Sequence, residues 1–267
     1  MNAPLDPALA PFVSVAHDDG VATITLDRGD RFNLLSRGMV GALQAALDTI
    51  AADVSVRVVV LAGAGRGFCA GHDLRELRAH PDLDWQRGLF AECNRMMMTL
   101  TTLPQPVVAR VHGIATAAGC QLVSMCDLAV AADGASFALP GVNVGVFCST
   151  PAVGVGRNVP RKRAMEMLLT GESIDAKTAQ AWGLVNRVVP LAELDAEIAR
   201  LASTIKAKSA AVVALGKRAF YSQIERPLEG AYAETGEVMA SNLLMPDAAE
   251  GIDAFAQKRA PDWPSRG

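Results

Sequence analysis

Cysteine is scarce in this sequence, and its five cysteines do not have the spacing of a structural framework. Their number is odd and no CxxC pair occurs, so neither a disulfide framework nor a zinc site is expected. The four histidines are scattered along the chain, which argues against any other metal site. We therefore expect a reduced chain in the cytoplasm, with no bound metal.

An excess of charge of one sign is also missing. The 25 Lys and Arg residues and the 28 Asp and Glu residues leave a net charge of -3, which gives no support for nucleic-acid binding.

Residues 114–132 approach the length of a membrane span, but the run is interrupted by Gly119, Gln121, Ser124 and Asp127. A buried helix with flanking strands, and no membrane contact, is therefore favoured. The first 12 residues carry three prolines and no basic segment before an apolar one, so no signal peptide is expected.

Several familiar glycine and serine motifs are absent. No GxGxxG opens a helix and no GxxxxGK[ST] occurs, so Gly63, Gly65 and Gly67 do not form a nucleotide-binding fingerprint. Neither Ser36 nor Ser149 lies in a GxSxG context. A hydrolase of the nucleophile-elbow type is therefore not expected.

The residues that are present predict an α/β chain. Hydrophobic residues make up 51% of the 267 positions, enough for a sizeable core in one large domain or two small ones. In chain order the patterns predict a hairpin over 12–26, a helix capped by Ser36, a strand over 56–61, a helix over 84–103, and strands over 107–111 and 128–131. After Pro160 the patterns predict helices and one strand over 185–189, which indicates a helical C-terminal third.

The stretch from Val107 to Cys148 carries the strongest local signal. A buried strand leads into a run of small residues over 113–119, and apolar residues after it favour a buried helix. Small residues let a ligand approach the backbone closely, and the free N–H groups of a helix start favour negative charge. Such a junction can hold an oxygen that gains charge during a reaction. The alternative is that this turn is ordinary packing.

Three segments in order carry a resemblance to a known family. Residues 68–74 (FCAGHDL) resemble the F-x-A-G-x-D-L segment of the enoyl-CoA hydratase/isomerase (crotonase) family. Residues 117–131 resemble its G-G-G-C-E-L … C-D-I/L segment, and residues 137–145 resemble its F-x-x-P-E-x-x-x-G segment. Residues 169–172, Ala179, residues 183–185 and residues 255–263 also fit the family pattern. Together these matches cover nearly the whole chain in the expected order, and they are closest to the branch called enoyl-CoA hydratase domain-containing.

The resemblance implies a fold, an assembly and a ligand. Stacked ββα units form a spiral core over residues 1–200, and a helical region over residues 201–267 builds a homotrimer or homohexamer. The ligand class is acyl-CoA thioesters, as in fatty acid metabolism, with coenzyme A as part of the substrate and no separate cofactor.

The resemblance also implies an oxyanion hole made by the backbone N–H groups of Ala70 and Ala118. The residues beside them belong to the expected substrate site: Gly71, His72, Asp73 and Gly119. Asp73 is expected to cap or position the loop after Ala70, and the ring of His72 is expected to point outward. Two rigid donors suit a thioester enolate, because they bind the charge that develops on its oxygen.

The two catalytic glutamates of the family are absent. The first falls on Gln121, which can orient a water molecule but cannot accept a proton at neutral pH; a buried amide satisfied by the backbone is the alternative. The second falls on Gly141, which has no side chain. Cys148 stands near the place where some relatives have an aspartate, and it is either a proton carrier or an inert buried thiol.

Coenzyme A carries several negative charges, so local cations are expected to hold it. The candidates are Arg28 and Arg31 in the loop before the first long helix, and Lys258 near the C-terminus, which would act across a subunit boundary. A plain surface charge is the alternative for each.

Two classes of function remain from the sequence. One is an acyl-CoA enzyme, a hydratase with weak or absent hydration or a relative that performs isomerisation or C–C bond chemistry on the enolate. The other is a non-catalytic acyl-CoA binding protein.

Overall fold

Two sheets divide the strands of the chain between them. The computed structural model describes residues 12–265, so residues 1–11, where no signal peptide is expected, lie outside the described residues. The six-stranded sheet has the order β1 (Val13–Asp18), β2 (Val21–Leu26), β3 (Val58–Gly63), β5 (Val107–Val111), β7 (Leu128–Ala132) and β10 (Arg187–Val189). The four-stranded sheet has the order β4 (Gly67–Cys69), β6 (Ile114–Thr116), β8 (Ser136–Ala138) and β9 (Ser173–Asp175).

The chain alternates regularly between the two sheets. Strands β3, β5 and β7 are parallel neighbours in the first sheet, and the strand after each of them, β4, β6 or β8, enters the second. Each unit therefore adds one strand to each sheet before its helix begins. This is the spiral of ββα units expected from the sequence.

Helices cover both sheets and make up the C-terminal third. They are α1 (Arg37–Ala51), α2 (Leu74–Ala79), α3 (Leu83–Thr102), α4 (Ala118–Met125), α5 (Ser149–Asn158), α6 (Arg161–Thr170), α7 (Ala176–Ala181), α8 (Leu194–Lys206), α9 (Ala210–Gln223), α10 (Leu228–Leu243) and α11 (Pro246–Ala256). Short 3₁₀ turns occur at Gly29–Arg31, Pro140–Val144 and Leu191–Glu193.

Helix α1 shows how the sequence pattern produces the core. The Ser36 Oγ accepts a hydrogen bond from the Met39 N–H at 3.2 Å, which confirms the predicted cap. Its apolar stripe, including Leu43 and Leu47, is fully buried in the main core. On the opposite face of the six-stranded sheet, α8 covers Val58, Val60, Val108 and Val130 with Leu194, Ile198, Leu201 and Ala202.

The C-terminal helices are joined to the core through α9. Its Lys217 side chain reaches the carboxylate of Asp127 at the α4–β7 turn, with an Nζ–Oδ2 distance of 2.6 Å. The predicted division at residue 200 stays a prediction; in the structure residue 200 lies inside α8, so a division there would cut that helix. No helix within residues 12–265 is long and apolar enough to cross a membrane.

Candidate active site

Two strand-to-helix corners line one cleft of about 900 Å³. The corner after β4 contributes Ala70 and His72, and the corner after β6 contributes Ala117 and Ala118. Residues of the segment from Gly141 to Cys148 also line the cleft. The topology explains this meeting, because β4 and β6 are parallel neighbours and both continue into helices at the same sheet edge.

Glycine at position 71 brings the two corners into contact. Gly71 has a φ of +90°, and a Cβ built on it would lie 2.8 Å from the Ala117 Cβ and 3.3 Å from the Ala118 nitrogen. Gly119 is equally constrained, since a Cβ there would collide with the carbonyl oxygen of Cys69. Any side chain at either position would separate the corners. Gly71 and Gly119 lie behind the residues that line the cleft, so their predicted place in the substrate site stays a prediction.

Ala117, directly before α4, has a strained backbone. Its φ of 50° and ψ of -118° belong to a region that only glycine adopts freely. The Ala117 N–H donates to the Ala138 carbonyl at 2.9 Å, so the corner is tied to β8. A non-glycine residue in such a conformation costs about 1–3 kcal/mol. The surrounding structure must impose this geometry on the start of α4.

Two unpaired backbone donors at the cleft are the N–H groups of His72 and Ala118. The Ala70 N–H donates to the Phe32 carbonyl at 3.0 Å, so the prediction that Ala70 supplies a donor to the oxyanion hole is wrong. Among residues 12–265, the N–H groups of His72 and Ala118 have no hydrogen-bond acceptor. The sequence pattern could not show that the Ala70 N–H is already bonded to a distant loop.

The loop that engages Ala70 is held by a residue that sequence reasoning passed over. Asn33 is fully buried, and its Nδ2 donates to the carbonyls of Ala64, Gly67 and Phe68 at 2.9–3.0 Å. The sequence around Asn33 is polar and typical of a loop, so nothing in it indicates that the amide bonds three backbone carbonyls. It fixes the loop beneath the β4 corner.

Asp73 caps α2, as expected. Its Oδ1 accepts hydrogen bonds from the N–H groups of Arg75 at 2.9 Å and Glu76 at 3.4 Å. The cap fixes the direction in which the chain leaves the corner.

The His72 ring is buried, so the expectation that it points outward is wrong. Its Nδ1 lies 3.0 Å from the Leu35 carbonyl, which can only accept, so Nδ1 carries the proton. Its Nε2 is buried and has no partner among the described residues. Burial lowers the pKa of His72 below 6.5, so the imidazole is neutral at pH 7. The ring packs edge-on to Phe90 with centroids 5.4 Å apart.

Gln121 lies one turn into α4 and is only 4% exposed. Its Oε1 is buried and finds no hydrogen-bond partner within residues 12–265, which disagrees with the alternative of an amide satisfied by the backbone. Its side chain is not part of the cleft lining. A water-positioning role stays a prediction.

Position 141, where the resemblance puts the second glutamate, has no room for a side chain. A Cβ built on Gly141 would collide with the carbonyl oxygen of Val146 and lie 2.9 Å from the Cys148 Sγ. Burial also raises the pKa of Cys148 above 9.0, so this thiol is protonated at neutral pH. A proton carrier would need a lowered pKa, and the structure therefore favours the inert thiol for Cys148.

The predicted cations lie in different places. Arg31 lines the cleft with 62% of its side chain exposed, and Arg75, which sequence reasoning missed, lines it as well. Arg28 instead lies over the Phe12 ring at 5.6 Å, in a neighbouring pocket that the cleft does not include. Lys258, just after α11, is outside the cleft of its own chain, so its action across a subunit boundary stays a prediction.

The rest of the cleft is mainly apolar. Leucine, valine and phenylalanine side chains dominate this part of its surface: Leu34, Leu74, Phe90, Val144, Val146 and Phe147. The cleft thus combines two backbone donors, flanking cations and an apolar wall. Among the described residues no cluster of His, Cys, Asp or Glu can hold a metal ion.

The fold and the cleft define a spiral α/β protein with a small-molecule site at the meeting of two helix starts. Comparison with known proteins gives the family, since residues 16–266 match the model described as enoyl-CoA hydratase/isomerase. The chain belongs to the enoyl-CoA hydratase/isomerase family. The resemblance read from the sequence is thereby confirmed.

Individual relatives support this assignment and the fold. The chain is 46% identical to enoyl-CoA hydratase domain-containing protein 3, mitochondrial, of Rattus norvegicus over 97% of this chain and 87% of that protein. A crystal structure of an enoyl-CoA hydratase from Mycobacterium smegmatis is 55% identical, covers 95% of this chain and 99% of its own, and superposes with a TM-score of 0.93. The crystal structure of human enoyl-CoA hydratase domain-containing protein 3 is 46% identical in sequence. It covers 94% of this chain and 100% of its own, and it superposes with a TM-score of 0.92.

The names of these relatives correct one expectation. The proteins of this group from rat, mouse, frog and human are all named mitochondrial. The cytoplasmic location inferred from the cysteine pattern is therefore wrong, because a reduced, disulfide-free chain does not distinguish these compartments.

Proposed function

We propose that this chain binds acyl-CoA thioesters in the cleft and stabilises negative charge on the thioester oxygen with the N–H groups of His72 and Ala118. The observation that carries the proposal is the pair of unpaired donors at two corners in contact. Ala118 is the first residue of α4, so the positive end of the helix dipole adds to its N–H. Each such donor contributes about 10²–10³ in rate to an enolate-forming reaction.

Hydration by the usual two-carboxylate mechanism is weak or absent in this proposal. Gln121 cannot accept a proton, and position 141 has neither a side chain nor space for one. General acid–base groups contribute about 10²–10⁴ each. Isomerisation or C–C bond chemistry on the enolate is the alternative form of catalysis in this proposal.

A non-catalytic acyl-CoA binding protein is the second candidate. The filled space beside Gly141 favours it, because the Val146 carbonyl and the Cys148 thiol occupy the volume that a side chain at position 141 would need. Both candidates use the same cleft and differ only in whether bound acyl groups react.

The coenzyme A part of the ligand is assigned to the cationic side of the cleft. Arg31 and Arg75 lie there, and Arg31 has only a loose ion pair with Asp30 at 3.8 Å. Guanidinium groups suit phosphates because their donors form a planar fork. No cofactor beyond this part of the substrate is proposed.

A homotrimer or homohexamer is the proposed assembly. Helices α10 and α11 present large apolar side chains to solvent, including Leu244 and Phe255 at 87% exposure each. Apolar patches of this kind mark contact surfaces.

Titration with butyryl-CoA, beside a crotonyl-CoA turnover assay, tests the binding function. Ala118→Pro removes the donor at the first position of α4, where proline is compatible with the helix. We expect butyryl-CoA affinity to fall at least tenfold, whereas Ala210→Pro at the first position of α9 leaves it unchanged. Equal affinity in wild type and Ala118→Pro would remove the donor role.

A further inference from the structure

The cleft has few groups that can move a proton once the family glutamates are gone. Apart from arginines, its titratable side chains are those of His72, Asp73 and Cys148. The Asp73 carboxylate is engaged in capping α2. The raised pKa of Cys148 keeps its thiol protonated. His72 is the remaining candidate.

The imidazole of His72 is held in the form that a base requires. The Nδ1–H group of His72 donates to the Leu35 carbonyl. The backbone N–H of Leu35 in turn donates to the Gly71 carbonyl at 2.8 Å. This double link fixes both the tautomer and the ring position. The lone pair at Nε2 is left unprotonated, and no described residue occupies it.

An unpaired buried acceptor is costly in a folded protein. Leaving such a group unsatisfied costs about 1–3 kcal/mol, so a ligand group that bonds to Nε2 would offset that cost. His72 also offers its own backbone N–H to the cleft, less than one side-chain length from its ring. A thioester oxygen on that N–H would place the adjacent carbon near the imidazole.

We infer that His72 Nε2 is the base that removes a proton from carbon 2 of the bound acyl thioester. This rests on the proposed function, since the thioester oxygen must lie on the N–H groups of His72 and Ala118. The C2–H bond breaks and its proton joins Nε2. Its electron pair forms the C1–C2 double bond of the enolate, and the negative charge resides on the thioester oxygen. Return of a proton from the imidazolium regenerates the thioester.

Access to Nε2 requires a small movement. The Nε2 atom is buried, so the adjacent Phe90 ring has to move aside when an acyl group enters, while the imidazole keeps its bond to the Leu35 carbonyl. A dry lone pair loses no hydration shell in the transfer, which favours proton abstraction.

Exchange of the C2 hydrogens of butyryl-CoA in D₂O, followed by mass spectrometry, measures this step directly. We expect wild type to exchange them at least about 100-fold faster than buffer, and His72→Asn to lose about 100-fold, the contribution of a general base. Asparagine can still donate to the Leu35 carbonyl but offers no base. His80→Asn is the matched control, because His80 also bonds a backbone carbonyl through Nδ1 yet lies outside the cleft.

Butyryl-CoA binding is measured on every variant, so that the two proposals fail separately. No binding by wild type overturns the proposed function, whereas binding without exchange overturns only the role of His72. Exchange retained in His72→Asn, or lost in Cys148→Ala instead, also overturns it. If His72→Asn does not bind, His72→Gln decides: exchange lost with binding kept supports the base, and loss of both together assigns His72 a structural role.

Discussion

At the scale of single residues, the cleft depends on backbone geometry more than on reactive side chains. Gly71 and Gly119 bring two corners into contact, and Ala117 is forced into a conformation suited to glycine. Strained residues of this kind persist only where the surrounding structure imposes them. The site is therefore built by packing, and its chemistry follows from which N–H groups that packing leaves unpaired.

Relieving the strain at Ala117 is expected to stabilise the protein. In Ala117→Gly the strain of about 1–3 kcal/mol is lost, and the greater freedom of glycine in the unfolded chain offsets roughly 0.5–1 kcal/mol of that gain. We expect the free energy of unfolding to rise by about 1 kcal/mol, measured by urea unfolding. Ala45→Gly, in the middle of α1, should instead lose about 1 kcal/mol. A loss at position 117 would show that its conformation is not strained.

Restoring the missing carboxylates is expected to fail at position 141. Gln121→Glu should recover little hydration, since one carboxylate lacks its partner. The double variant Gln121→Glu with Gly141→Glu should recover no more and should fold less stably, because the Val146 carbonyl and the Cys148 thiol occupy the required space. Steady-state hydration of crotonyl-CoA and thermal unfolding provide the measurements. Full hydratase activity in the double variant would show that the 141–148 segment rearranges readily.

At the scale of elements, sequence patterns predicted long segments well and short ones poorly. The strand Val107–Val111 agrees with its predicted bounds, and the helix Arg161–Thr170 lies in the part after Pro160 that was predicted to be helical. The strands of the four-stranded sheet have three residues each, too few for an alternating pattern. Helix α5 was also missed, since its glycines and Pro151 resemble a loop.

The active-site corner shows the limit of motif reasoning in the same way. The glycine at 71 and the cap at 73 were readable from FCAGHDL. Which N–H remains free depends on the Phe32 carbonyl, and that lies on a loop held by Asn33. A partner this far away in sequence leaves no local signal, so the motif alone could not show that the Ala70 N–H is already bonded.

Helix α9 is expected to depend on one buried ion pair. The Lys217 Nζ contacts the Asp127 Oδ2 at 2.6 Å and donates to the carbonyls of Leu100 and Gln105 at 2.8 and 3.0 Å. Burial lowers the pKa of Lys217 and raises that of Asp127, so each charge depends on the other.

Removal of one partner should therefore cost more than removal of both. Lys217→Met leaves a buried carboxylate without its cation, and a loss of about 3–5 kcal/mol is expected. Lys217→Met with Asp127→Asn should lose less, as a double-mutant cycle by denaturant unfolding would show. An additive cycle would mean that the pair is not coupled.

At the scale of the whole molecule, the single chain leaves much apolar surface uncovered. The exposed side chains concentrate on the last two helices and the segments beside them, for example Leu228, Tyr232, Leu243, Leu244, Ile252 and Phe255. The main core, in contrast, is complete within the two sheets and their helices. The C-terminal region therefore has more apolar surface than its own chain can bury.

Self-association through this region is the last prediction. Burial of apolar area contributes about 25 cal/mol per Å², and charges placed in such a contact oppose it. Sedimentation velocity at micromolar concentration should show a trimer or hexamer for wild type, and smaller species for Leu244→Lys with Phe255→Lys. Leu83→Lys is the control, because it places the same charge on another exposed leucine, at the start of α3. It should leave the assembly intact. A monodisperse wild-type monomer would contradict the prediction. Dissociation that also abolishes butyryl-CoA binding would show that the cleft needs a neighbouring subunit, as a Lys258 contact across the boundary requires.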